Sequence, residues 1–156
     1  MTMKVEKIIS GGQSGADQGG LEAAKVLGIV SGGSAPMGWK TEKGSQPELL
    51  RGYGLTECSV PGYPFRTKMN VLNSDGTVVF GDFYSPGTKL TIRCCDRARK
   101  PLYRVCREDN SIIEKQDFLN WLEKFSIEVL NVAGNRESKN PGIQKKVRDF
   151  LVEALQ

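Results

Sequence analysis

The chain of 156 residues contains no histidine. That absence excludes Ser-His-Asp and Cys-His catalysis and every histidine-ligated zinc, haem or copper site. Cysteine is scarce as well. Cys58, Cys94, Cys95 and Cys106 form no C-x-x-C pair, so they make neither a disulfide framework nor a zinc site. They read as buried, reduced thiols, and no metal ligand set is expected. No apolar run approaches the roughly 20 residues of a membrane span. The opening MTMKVEKIISGG lacks the apolar stretch of a signal peptide. The expectation is a cytoplasmic protein with no membrane partner.

What is present is glycine and an uneven charge. Glycine supplies 18 residues, above the roughly 7% average. The net charge of +4 is concentrated in the middle. Residues 51–106 carry nine basic and four acidic side chains, while the flanking thirds are close to neutral. A basic middle suits an anionic ligand. It also suits a plain solvated face. Arg97, Arg99, Lys100 and Arg104 cluster at an expected helix end, where cations favour the dipole, and basic runs with interleaved aromatics are lacking. No nucleic-acid partner is therefore expected.

Short apolar runs alternate with amphipathic segments. Strands are expected at Val5–Ser10, Ile29–Ser31, Gly76–Phe80, Pro101–Val105 and Glu128–Ala133. Helices are expected at Asp17–Leu27, Arg66–Leu72, Gly87–Arg99 and Asp117–Phe125. A last helix is capped by Asn140 with Pro141 in its first turn. The helix from Gly87 would bury Leu90, Cys94, Cys95 and Ala98. Gly32–Pro64 is weakly patterned, with Tyr53–Cys58 extended. This alternation predicts one α/β domain over residues 1–156, a three-layer sandwich around a mostly parallel sheet. In such folds ligands sit outside the carboxyl ends of the strands.

Three loops fall there. The first is Gly11-Gly12-Gln13-Ser14-Gly15-Ala16-Asp17, which matches neither G-x-G-x-x-G nor a P-loop. It is either an anion cradle of backbone N–H groups or a tight turn with Asp17 as N-cap. The second, Gly81–Thr88, opens a helix at Gly87 and Thr88, and the hydroxyls of Thr88 and Thr91 add donors. The third, Gly134–Asn140, offers Asn135, Arg136, Glu137 and Ser138. With Lys40 and Arg66 as cations, the three helix starts describe a pocket for an oxyanion or a nucleotide phosphate. Asp17, Asp75 and Glu137 would read hydroxyl or amino groups. Mg²⁺ accompanying a phosphate is compatible with these carboxylates.

These residues carry a resemblance. SGGQSGAD at Ser10–Asp17, PMGWK at Pro36–Lys40, Arg66-Thr67 with Asn70, SDGT at Ser74–Thr77, Gly87-Thr88 and NVAGNRES at Asn131–Ser138 recur in one order. The chain resembles the molybdenum carrier family, the circularly permuted YpsA-like branch of the SLOG superfamily, from about Lys7 to Phe150. The resemblance implies a Rossmann-like fold and a ligand related to nucleotides or molybdenum, either molybdate or the molybdenum cofactor. The superfamily includes phosphoribohydrolases with a P-G-G-x-G-T-x-x-E motif. Here Thr91 stands where that glutamate falls, and a hydroxyl cannot replace it as a base near neutral pH. Gln18 stands where relatives often carry a cation, and Asn135 where a proline is expected.

Three functions follow. The first is a binding or carrier protein for a small anionic or nucleotide-like ligand, held by Gly11–Asp17, Asn70, Gly87-Thr88 and Gly134–Ser138, with no chemistry required. The second is a hydrolase of a nucleotide N-glycosidic bond or phosphoester, with Asp17 or Glu137 activating water. The third is a nucleotide sensor acting through a partner. The missing histidine leans the reading away from an enzyme. Oligomeric state is open in the sequence: residues 107–125, with Phe118, Trp121 and Leu122, are the candidate surface for a homo-oligomer, and Trp121 reads more often as core than as interface.

Overall fold

The computed structural model describes residues 5–105 and 111–156, so Cys106 lies outside the described residues. Six parallel strands form one sheet. They are β1 (Lys7–Ile9), β2 (Val30–Ala35), β5 (Leu55–Glu57), β6 (Gly76–Phe80), β7 (Leu102–Val105) and β8 (Val129–Gly134), in the order β5-β2-β1-β8-β6-β7. A small antiparallel hairpin, β3 (Lys40–Thr41) with β4 (Gly44–Ser45), stands apart from it. From β1 the chain works outward to β5, crosses to β6 and β7, and returns to insert β8 between β1 and β6. Parallel strands need covering helices on both faces, and both are covered. The result is the Rossmann-like α/β sandwich expected.

The two faces differ in character. On one, α1 (Ala16–Leu27), α5 (Ile112–Lys124) and α6 (Ile143–Leu155) bury Ile8, Val78, Phe80, Leu130 and Val132 under Phe118, Trp121, Val147 and Phe150. Phe80 meets Phe150 edge-on at 5.5 Å between ring centroids, a pairing that contributes roughly 0.5–1.5 kcal/mol beyond burial. At the β5 edge, α2 (Pro47–Gly52) sets Leu50 against Leu21, Trp39 and Leu55. The other face carries α3 (Tyr63–Leu72) and α4 (Pro86–Ala98), and it is more polar. Period-two alternation turns Thr77, Val79 and Asn131 that way. The Asn131 amide donates to Thr77 Oγ1 at 3.1 Å.

Several expectations change. The inward stripe of α4 is Thr88, Thr91 and Cys95, while Leu90, Cys94 and Ala98 are half-buried, because the helix covers a polar sheet face. β2 runs through Gly32-Gly33-Ser34 to Ala35, since pairing with β1 and β5 overrides weak strand propensity. At Gly33 a Cβ would meet the Ser10 carbonyl oxygen at 2.2 Å, so only glycine fits. α5 starts at Ile112, with Ser111 Oγ accepting the Glu114 N–H at 3.3 Å. α6 starts at Ile143, so Asn140 and Pro141 precede it in a turn. Phe125 is 43% exposed, whereas Phe118, Trp121 and Leu122 are buried in the core and cannot form a subunit face. Among the described residues, no helix is long and apolar enough to cross a membrane.

Candidate functional site

A cavity of about 820 Å³ opens at the carboxyl ends of β1, β6 and β8, between the amino ends of α3 and α4. Gln13, Asp17, Thr67 and Thr91 lie buried along it. Tyr63 and Tyr84 flank it, and Arg66, Arg136 and Lys139 set three cations against Asp17 and Asp82. The amino end of α4 faces it. No side chain caps that helix, and Gly87 and Thr88 line the cavity. A Cβ at Gly87 would meet nothing within 4 Å, so a guest can approach the backbone there. The unpaired first-turn N–H groups of a helix favour negative charge.

The first glycine loop behaves differently from a cradle. Its N–H groups are already used. Gly12 donates to Ser10 Oγ at 3.3 Å, Gln13 to Asp17 Oδ2 at 3.2 Å, and Ser14 to Gln13 Oε1 at 3.0 Å. Gly15 donates to Gln144 Oε1 at 2.9 Å and Ala16 to the Asn135 carbonyl at 3.0 Å. The Gly11 N–H faces Asp17. The glycines serve close packing instead. A Cβ at Gly15 would lie 2.4 Å from the Asn135 oxygen, so only glycine lets the first and third loops approach this closely. This loop presents side chains to a guest, not amides.

Those side chains are Gln13 and Asp17. Burial pushes the Asp17 carboxyl above its ordinary 3.8, against the lowering by Arg66 and by the N–H groups of Gln13 and Gly11. Arg66 Nη1 stands 3.8 Å from Asp17 Oδ2, donates to Thr67 Oγ1 at 3.1 Å, and lies over the Tyr63 ring at 5.2 Å. Two donors beside this pair are buried with no acceptor, Gln13 Nε2 and Arg66 Nε. Buried donors are nearly always paired, so such orphans call for an explanation.

The third loop is a fastener. Asn135 Oδ1 accepts the Asp82 N–H at 2.6 Å, and its Nδ2 donates to the Asp82 carbonyl and to Ser85 Oγ, both at 3.0 Å. It thereby ties the 81–88 loop down beside the α4 amino end. Glu137 accepts from the N–H groups of Gly142 at 2.6 Å and Gln144 at 3.0 Å. It caps α6 and is committed to that, which removes it as a base. Ser138 donates from both N–H and hydroxyl to Glu42, which also accepts from Ser14 Oγ. Glu42 sits at the tip of the β3–β4 hairpin and clasps the first and third loops together. Burial raises its carboxyl, but the Ser138 and Ser14 hydrogen bonds and the Arg136 charge outweigh that and hold it below 4.5.

The structure thus gathers Gln13, Asp17, Arg66, Gly87, Thr88, Thr91, Gly134 and Asn135 around one cavity. Gly11, Gly12, Ser14, Gly15, Glu137 and Ser138 lie behind it as supports. Three residues fall elsewhere. Lys40 is exposed on β3. Asn70 is spent on β2, with its amide oxygen accepting the Ser34 N–H at 2.8 Å and its amide nitrogen donating to the Ser34 carbonyl at 3.0 Å. Asp75 lies at the opposite edge of the sheet, accepting from Glu128 and Val129 N–H at the start of β8. Sequence reasoning missed Tyr63, Asp82, Tyr84 and Lys139 as lining residues, and Glu42 as the clasp behind them. Only Gly62-Tyr63-Pro64 gave a signal, a helix start just upstream of Arg66. Among the described residues, no three of Cys, Asp and Glu are grouped to hold a metal ion.

Comparison with known proteins bears on the family and the fold. No curated protein matches the chain significantly. A solved structure described as "Putative molybdenum carrier protein" from Syntrophus aciditrophicus SB is 34% identical, spans 100% of this chain and 98% of that one, and superposes with a TM-score of 0.91. The family model of the circularly permutated YpsA SLOG family matches residues 8–155. With residues 8–155 matched by the family model and a relative of 34% identity superposing over the whole chain, the chain belongs to the circularly permuted YpsA SLOG family.

Proposed function

We propose that the chain binds and carries a small anionic ligand in the cavity between α3 and α4. One observation carries this reading: the uncapped amino end of α4 opens into a cavity that also holds two buried donors with no acceptor, Gln13 Nε2 and Arg66 Nε. The anionic end would lie at Ser85, Gly87 and Thr88, with Arg136 and Lys139 nearby. About 820 Å³ falls within the roughly 300–1,000 Å³ typical of organic ligands. A pterin phosphate such as the molybdenum cofactor, or a nucleotide, therefore fills it better than bare molybdate. The name of the structural relative supports a molybdenum-related cargo.

The test is a thermal-shift and calorimetric series with molybdate, phosphate, AMP and UMP. A ligand at 100 times its Kd adds about 2.7 kcal/mol to the native state. For a chain of this size each kcal/mol is worth roughly 2–4 °C. Absence of a shift with all four would remove the reading.

A hydrolase is the second reading, favoured by one feature. Asp17 is a buried carboxyl of raised pKa on the cavity wall, the profile of a general acid or base. Release of free base from AMP or UMP would replace the carrier reading with this one.

A further inference from the structure

Gln13 has a peculiarity that its place in the glycine loop hides. Its Oε1 accepts two backbone N–H groups, from Ser14 at 3.0 Å and from Glu42 at 2.8 Å. Its own N–H and carbonyl are engaged with Asp17 and Gln18. The side chain is 94% buried, being 6% exposed, and its Nε2 has no partner. An amide so held cannot flip, because flipping would set its NH₂ against two N–H donors and leave them unpaired. The second of those donors belongs to the β3–β4 hairpin, which Glu42 pins to Ser14 and Ser138.

We propose that Gln13 is a specificity-determining residue that reads a hydrogen-bond acceptor on the ligand, with its orientation set by the β3–β4 hairpin. This rests on the ligand-binding reading above. The Asp17–Arg66 pair makes the surroundings of Gln13 close to neutral, whereas Arg136, Lys139 and the start of α4 make the mouth positive. The guest is therefore two-ended. Its anionic group lies at α4, and a neutral acceptor, of carbonyl type, reaches Gln13 Nε2. Arg66 Nε is a second donor to the same end. A guest presenting an N–H to Gln13 Nε2 and Arg66 Nε would leave both buried donors unpaired and would bind more weakly.

The test titrates wild type, Gln13→Glu and Glu42→Ala calorimetrically with UMP, whose base carries two carbonyl oxygens, and with inorganic phosphate. Gln13→Glu keeps an oxygen for the Ser14 and Glu42 amides and removes the donor. UMP affinity is expected to fall at least tenfold more than phosphate affinity, with the melting temperature held. Glu42→Ala frees the hairpin and is expected to narrow the gap between UMP and phosphate, leaving phosphate within twofold. If Gln13→Glu fails to fold, that second variant decides. An unchanged UMP-to-phosphate ratio in the variants, or a wild type that binds UMP no tighter than phosphate, would overturn the role of Gln13 while sparing the carrier reading. A wild type that binds neither probe would overturn the role of Gln13, and one that binds neither molybdate nor AMP as well would remove the carrier reading with it.

Discussion

The guanidinium of Arg66 lies directly on Gly11, so that a methyl group added at Gly11 would come within 2.4 Å of Nη1. This contact seats the cation beside Asp17. Gly11→Ala should push it away and leave a buried carboxylate without its counter-charge. The expected loss is about 1–3 kcal/mol, the usual penalty of overpacking. Urea unfolding measures it. A stability equal to wild type would mean that Arg66 is free to swing clear.

Asp17 and Glu42 predict opposite pH responses. The native Asp17 carboxyl titrates above 3.8, so over a window from about pH 3.8 upward the folded state holds a proton that the unfolded chain has released. Stability from this group falls as pH rises through that window. Glu42 titrates below 4.5 when folded, so its contribution is present above pH 4.5 and is lost as pH falls through its lowered value. Asp17→Asn should flatten the first slope and Glu42→Gln the second. Urea midpoints between about pH 3 and 7 would show it, and unchanged slopes would contradict the assignment.

Asn135 is the cheapest way to loosen the cavity rim. Asn135→Ala removes hydrogen bonds to Asp82 and Ser85 and leaves the Asp82 N–H without its acceptor. A loss of about 2–3 kcal/mol is expected. Hydrogen exchange should speed up at residues 81–88 ahead of the sheet. Uniform acceleration across the protein would show that Asn135 does not act on that loop in particular.

Glu137 separates capping from chemistry. Glu137→Ala should lower stability by about 1 kcal/mol through loss of the α6 cap. Phosphate affinity should stay as in wild type, because the carboxylate points into the helix end. A large loss of binding with full stability would return Glu137 to the site.

The sheet was largely legible because β6 announces itself by β-branched content and α1 by its glycine stop. The site was only partly so. Gly87 and Thr88 are visible as a helix start after a strand. The glycine loop, however, reads alike whether its amides are free or spent. Which of these holds depends on Gln144, Asn135 and Ser10, contacts that no local pattern encodes. Glu42 was hidden for a similar reason. It lies in the weakly patterned 32–64 stretch and reaches Ser138, 96 residues away. Asp75 shows the converse error. An acidic residue in a conspicuous motif can sit at the wrong end of a strand, and only the direction of β6 tells which.

The central position of β8 bears on how the protein is made. β1 and β2 cannot be joined to β6 and β7 until residues 129–134 arrive between them. While the chain leaves the ribosome, Gln13 and Asp17 belong to one half-sheet and Gly87 and Thr88 to another. The late strand therefore acts as a keystone. The cavity comes into being only once residues 129–134 have emerged, and a nascent chain stalled before Val129 would have no binding site.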